Sequence, residues 1–260
     1  MALGAGAAYL VELVFHDPWV GVAGGIAAGL LLGLLVAVLE VNLGIDQVLL
    51  GVALILLGPS VANYLVDQTV GGRLLPTAAT LPLLPVSQIF GSPVGLIFRQ
   101  NALTYIALIL GIVIWVLLFR THIGLKLRAV GEDPRVAGFM GVQTKKYRFL
   151  AVLVGTMLAA VGGAFIIVTL GAWVDNLTAG RGFIAIAVMR IGGWKPQWVI
   201  LFSFIFGLSE AASFVFQAFM ISVPAQVYQA IPYTLGLVVL LLASRYRRWA
   251  APKSLGFAPT

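Results

Sequence analysis

The sequence predicts an all-α, polytopic integral membrane helical bundle, on three observations. Of its residues 61% are hydrophobic and 10% charged, and the mean hydropathy is +1.05; a soluble domain carries about 25% charged residues. The apolar residues fall into runs close to the ~20 residues that an α-helix needs to cross a bilayer. The basic residues, which leave a net charge of +7, cluster in a few loops between those runs, as they do when basic loops stay on one side of a membrane. That clustering points to membrane lipid and not to nucleic acid. About eight hydrophobic segments follow, one of them a half-helix, together with a short surface helix.

Residue chemistry narrows the function classes. There is no cysteine, so disulfides, thiol catalysis and cysteine-held zinc are excluded, and the only histidines are His16 and His122. No G-x-x-x-x-G-K-[ST] phosphate loop and no G-x-S-x-G elbow occurs. A transport function would therefore draw its energy from a gradient or from another subunit.

Taken in order, Met1–Phe15 is apolar and short, lacks a basic n-region, and reads as the end of a longer helix; the chain is expected to be short at its N-terminus. His16-Asp17-Pro18-Trp19 breaks the run, with Trp19 as an interfacial anchor. Val20–Val41 is a span with Gly21, Gly24, Gly25, Gly29 and Gly33 at close spacing, which favours tight helix contact. Glu40, near its end, is expected at the water interface. Asn42–Gln47 is a polar turn. Val48–Val66 follows, with Gly58-Pro59 predicted to kink or unwind it, and Ser60 and Asn63 just beyond the break. Polar groups beside broken backbone suit a permeation path, so Asn63 is a path candidate. The proline-rich stretch Asp67–Asn101 is expected to fold on the membrane surface. Ala102–Phe119 is a clean span.

Arg120–Arg148 is the one strongly basic window in the middle of the chain, and within it Gly124–Val142 reads GLKLRAVGEDPRVAGFMGV. Asp133 suits an N-cap, Pro134 the first helical position and Gly141 a stop. Val136, Phe139 and Met140 fall at i, i+3 and i+4, so a helix of about two turns would show one apolar face. Arg128, Arg135, Lys145, Lys146 and Arg148 surround it, making it a surface helix in need of a partner.

Phe149–Leu170 spans again. After GAWVDNLTAGRG, the run Phe183–Ile191 gives only about 15 Å of helix, half the hydrocarbon core. Its N-terminus, near Thr178–Gly182, would offer free N–H groups and a positive dipole end to a cavity. Trp198–Met220 is the next span. On it Ser203, Glu210, Ser213 and Gln217 share a face, and a carboxylate at mid-depth is a functional candidate by default. Ile221–Ala230 reads as a turn, Ile231–Ala243 as the last span and Ser244–Lys253 as a basic tail. Thirteen of the sixteen basic residues fall on one side if the basic loop and tail are cytoplasmic; Arg73, Arg99 and Arg181 fall outside.

Three stretches, GLKLRAVGEDPRVAGFMGV, KKYRFLAVLVGTMLAAVGGAF and NLTAGRGFIAIAVMRIGGWKP, make the chain similar to bacterial ABC-importer permeases of the ribose, nucleoside and basic-membrane-protein type, within the branched-chain amino-acid permease superfamily. The resemblance runs from about Pro18 to Arg248. It implies one transmembrane permease domain over 1–260, with a cytoplasmic coupling loop 120–148, a periplasmic loop 67–101 and a cytoplasmic tail 244–260. Arg128, Gly131, Glu132, Asp133, Pro134, Ala137 and Gly141 would belong to the segment that couples to a separate ATPase subunit. Thr178, Gly180, Gly182 and Phe183 match the family's half-helix entrance and, with Asn63, Glu210 and Gln217, would line the translocation path. The implied partners are that ATPase, a homologous or identical second permease, and a periplasmic or lipoprotein substrate-binding protein. This chain itself would hold no cofactor, with ATP and Mg on the ATPase. The implied function is import of a nucleoside or simple sugar across the bacterial inner membrane by a transport subunit that is not an enzyme. A branched-chain amino-acid permease and a stand-alone ion-coupled transporter are the alternatives. Two departures stand out: family members carry more hydrophobic sequence before the position of Met1, and Arg190 brings a charge to an end of the half-helix that is usually apolar.

Overall fold

Local punctuation sets the first two helices. In a computed structural model of the chain, α1 (Ala2–Phe15) ends where His16 adopts a left-handed φ of 55°. Asp17 then caps α2 (Pro18–Ala37), its side chain accepting from the Trp19 N–H at 2.8 Å, with Pro18 in the first turn, where its missing N–H costs nothing. The structure describes residues 1–70, 79–83, 100–174, 177–178, 180–219 and 225–246. The later helices are α3 (Gln47–Val70), α4 (Ala102–Arg120), α5 (His122–Glu132), α6 (Pro134–Phe139), α7 (Thr144–Leu170), α8 (Arg181–Ile191), α9 (Pro196–Phe219) and α10 (Ala225–Tyr246). A π-helical turn, Val38–Asn42, continues α2. Among the described residues there is no named strand, only an isolated bridge between Leu83 and Asn101. Among the described residues five helices, α2 with its π turn, α3, α4, α7 and α9, are long and apolar enough to cross a membrane; α1 and the stretch Ala230–Val239 of α10 are shorter apolar helices.

The chain divides into two compact units. The first holds Met1–Ala107 and Leu125–Ala179, the second Leu108–Gly124 and Gly180–Lys253, with Ser254–Thr260 outside the described residues. In the first unit α1, α2 and α7 pack against one another, and glycine makes the packing possible. A methyl group at Gly4 would fall 2.6 Å from the Cα of Ala160, and one at Gly29 would fall 2.5 Å from the Cβ of Ala160. Such close backbone approach gives the van der Waals contact that holds helices together where lipid removes the hydrophobic drive. One core gathers Ala5, Tyr9, Ala62, Val66, Ile167 and Trp173; another gathers Ala8, Val22, Leu81, Leu103, Ala164 and Val168. In the second unit α8, α9 and α10 pack through larger side chains around Val188, Ile191 and Phe206.

Several expectations are corrected. The helix is not unwound at Pro59: α3 runs unbroken from Gln47 to Val70. Proline removes its own N–H and crowds the carbonyl four residues back, yet the hydrogen bonds on either side keep the helix continuous, and Ser60 donates its hydroxyl to the Leu56 carbonyl at 2.9 Å one residue further on. The turn expected at 221–230 is shorter, because α10 already begins at Ala225; Ala-Gln-Val-Tyr-Gln-Ala contains no helix breaker. The basic loop holds a helix that local composition did not suggest, α5. Thr121 starts it, its Oγ1 accepting from the Gly124 N–H at 3.2 Å. Gly124 has to be glycine there, since a side chain would run into the Leu117 and Leu118 carbonyls of α4. Most of the stretch 67–101 and the tail beyond Tyr246 lie outside the described residues. Of the former, Leu81 is buried and donates its N–H to the Val168 carbonyl at 3.1 Å.

Candidate functional sites

Among the described residues, two of the places singled out in the sequence can be built up in detail, together with one buried ion pair that joins helices. The first is the entrance of the half-helix in the second unit. Gly180 caps α8 with a left-handed φ of 77°, a conformation that suits glycine, and a Cβ there would lie 3.0 Å from the Tyr233 hydroxyl. Gly180 O accepts from the Phe183 N–H at 2.9 Å, which closes the first turn. Arg181, the first helical residue, reaches Glu210 on α9: Nη2 lies 2.6 Å and Nε 3.2 Å from Glu210 Oε1. One guanidinium edge thus grips a single carboxylate oxygen, and the two side chains are 31% and 36% exposed. Ser213, buried one turn on, donates to the Glu210 carbonyl at 2.7 Å. Gln217 lies half-buried a turn beyond, its Nε2 shielded and without a hydrogen bond among the described residues. The Arg181–Glu210 contact thereby brings the entrance of α8 to the face of α9 that also carries Gln217.

The other path candidates are placed individually. Thr178 and Gly182 are half-buried beside the cap, and Phe183 is 59% exposed. Asn63 is half-buried on α3 in the first unit. Arg181, which the sequence reading puts on the outer side, is the partner of Glu210. The signal was inside TAGRG itself: a cation at the first turn of a half-helix disfavours the positive dipole end unless a carboxylate meets it.

The second place is α6. Asp133 Oδ1 accepts from the Arg135 N–H at 2.9 Å and the Val136 N–H at 3.1 Å, and Pro134 occupies the first position. The Asp133 N–H donates to the Ala129 carbonyl at 3.0 Å, so α5 abuts α6 at that residue. Gly141 terminates the turn with a φ of 81°. Helix α6 touches α7, and Ala137 is its buried residue, whereas Val136, Phe139 and Met140 are 55%, 91% and 82% exposed. Arg128 and Glu132 are exposed and Gly131 and Pro134 half-buried nearby. The segment is a rigid, capped helix that offers an uncovered apolar edge in basic surroundings.

Glu40 departs from expectation. It was placed at the water interface, yet it is 6% exposed. It sits in the π turn, accepts from the Gln47 amide, and lies 3.7 Å from Arg148 of α7. Burial follows because the π turn aims Glu40 at the start of α7, beside the packed glycine face of α2. Among the described residues no group of three His, Asp or Glu side chains gathers as a metal site.

Apolar spans, a half-helix and a basic loop carrying a capped helix define a multi-pass membrane protein. Residues 1–243 match the family model of the branched-chain amino acid transport system permease component, and the chain belongs to that family. A Haloferax volcanii protein named as a glucose ABC transporter permease is 34% identical over 217 residues, 81% of this chain and 65% of its own length. A nucleoside ABC transporter permease of Lactococcus lactis is 31% identical over 240 residues, 86% of this chain and 73% of its own. A guanosine ABC transporter permease of Bacillus subtilis is 27% identical over 279 residues, 98% and 84% respectively. The chain thus spans less than two thirds of the Haloferax protein. No solved structure shows a significant match.

Proposed function

We propose that this chain is the membrane-spanning permease subunit of an ATP-driven importer that carries a nucleoside or a simple sugar across the bacterial inner membrane. The observation that carries the reading is the uncovered edge of α6. A six-residue helix capped by Asp133 leaves Phe139 and Met140 almost wholly exposed inside a basic loop, in a chain with no phosphate loop of its own. Burying two such side chains against a soluble partner is worth several kcal/mol, about 1.5–3 for each, enough to couple a separate ATPase to the bundle. ATP and Mg would be bound there, not here. Arg128, Gly131, Glu132, Asp133, Pro134, Ala137 and Gly141 form or frame that lever. A second permease and a periplasmic or lipoprotein binding protein complete the assembly, with the basic loop and the C-terminus cytoplasmic. The relatives' names favour a nucleoside or sugar over a branched-chain amino acid. The Arg181–Glu210 pair counts against an ion-coupled carrier, because Glu210 is already engaged by a fixed cation.

The test is co-purification. The tagged permease should bring an ATPase with it in mild detergent. Replacing Phe139 and Met140 with serine, or changing Glu132, Asp133 and Pro134 together, should lose the ATPase and abolish uptake while membrane levels of the permease hold. Normal uptake by the triple variant would remove the coupling assignment.

A further inference from the structure

Helices α2 and α7 run antiparallel along a glycine seam. A Cβ at Gly25 would fall 3.0 Å from the Ala164 Cβ, one at Gly29 would fall 2.5 Å from the Ala160 Cβ, and one at Gly33 would run into the Thr156 hydroxyl. Further along the same register come Glu40 and Arg148, 3.7 Å apart, with side chains 7% and 13% exposed. Small residues thus give way to a buried ion pair at the end of the seam where the basic loop enters α7. Glu40 also accepts from the side-chain amide of Gln47, the first residue of α3. Three segments meet on one carboxylate: the π turn that continues α2, the start of α3 and the second turn of α7.

Stability alone gives little reason for the pair. Desolvating two charges offsets much of their attraction, and well-packed apolar residues in place of such a pair are often neutral or stabilising. The π turn that carries Glu40 is likewise a rare form that recurs at functional sites. What the arrangement supplies is a connection. Helix α6 touches α7, and α7 touches the π turn. Between α6 and α7 the backbone is bonded nearly step by step: the Gly141 N–H donates to the Gly138 carbonyl at 3.0 Å, the Val142 N–H to the Ala137 carbonyl at 3.0 Å and the Tyr147 N–H to the Gln143 carbonyl at 3.2 Å. Ala137, the buried residue of α6, is therefore joined to Arg148 through a short and well-bonded stretch.

We propose that Glu40 and Arg148 link the basic loop to α2, so that a displacement of α6 reaches the glycine seam of the first unit through this pair. Both are positioning residues, acting through the helices that carry them. Gln47 orients the carboxylate and brings the start of α3 into the same joint. The inference deepens the importer reading, and rests on it only for the source of the force on α6, the partner ATPase.

The experiment compares the wild type with the double variant Glu40→Leu, Arg148→Met, each as the full complex in proteoliposomes with guanosine and glucose as probes. The double variant removes both charges together and should melt near or above the wild type. It should retain the ATPase, yet solute should no longer stimulate hydrolysis. Uptake should fall about fivefold or more, the lower end of the factors by which coupled sites act on each other. Uptake and stimulation at the wild-type level overturn the link and leave the importer standing. A double variant that melts well below the wild type also overturns it, because the pair then serves stability. If the wild type neither retains an ATPase nor moves a probe, the importer reading fails instead, and the link is judged on the purified full chain by hydrogen exchange. The Leu43 and Ile45 N–H groups, which donate to the Val38 and Leu39 carbonyls at 3.1 Å, report on the π turn. Asp133→Ala, which uncaps α6, should speed their exchange about twofold or more, the smallest effect of a lost helix cap. The same change in the double variant should leave it unaltered. An equal response in both backgrounds, or none in either, overturns the link.

Discussion

The two units both contain strongly apolar helices and are built differently. In the first, α1, α2 and α7 meet backbone to backbone at glycines, and the seam is closed at one end by a buried ion pair, with Glu40 and Arg148 side chains 7% and 13% exposed. In the second, α8, α9 and α10 meet through Val188, Ile191 and Phe206, and their ion pair, Arg181–Glu210, is about a third open. Apolarity alone does not decide which helices lie inside. A third of the most apolar stretch of α2 and of α7 is buried, against 6% in α3 and α4. Small residues make the difference, because they let polar backbone approach polar backbone at distances a side chain forbids. The first unit is therefore suited to act as scaffold, and the second exposes polar groups that can change partners.

That contrast can be broken at three points. The largest effect should come from Glu40→Ala, which leaves the Arg148 guanidinium and the Gln47 amide without their buried carboxylate; removing one partner of a buried pair costs about 3–5 kcal/mol. Melting of the purified protein in detergent reads this, and an unchanged midpoint would mean the pair adds nothing to the seam. Next is Gly29→Val, whose side chain has no room beside Ala160; overpacking of this kind costs about 1–3 kcal/mol. Gly207→Ala in α9, where an added methyl would meet no neighbouring atom within 4 Å, serves as the control and should be neutral or slightly stabilising. Equal losses at both positions would erase the distinction between the units. The smallest change in stability should follow Arg181→Ala, about 1 kcal/mol or less, the scale of a pair that is not buried in the protein. Uptake measured on the same preparation should nevertheless fall, since the half-helix entrance then loses its fixed cation. A variant that melts early and transports normally would make the pair a structural clasp.

Features set by neighbours in sequence were legible before the fold was known. Asp133, Pro134 and Gly141 act within a few residues, so cap, first position and stop all fell where read. The half-helix followed from length alone, and the glycines of α2 from their spacing. The misses were long-range. Glu40 and Arg148 stand more than a hundred residues apart, and nothing local indicates that a π turn would carry one to the other. Glu12, buried on α1, was passed over inside an apolar run. The unwinding expected at Pro59 did not occur: in a helix of 24 residues the flanking hydrogen bonds outlast one missing N–H.

The π turn at Val38–Asn42 also stores chain. It winds more residues into a turn than an α-helix does, so α2 holds slack at the end nearest the basic loop. Releasing that slack into α-helix would advance everything downstream by about 1.5 Å and swing it by about 100°. Such a screw motion would carry Glu40 away from Arg148, and a push on the basic loop could drive it in either direction without bending a helix.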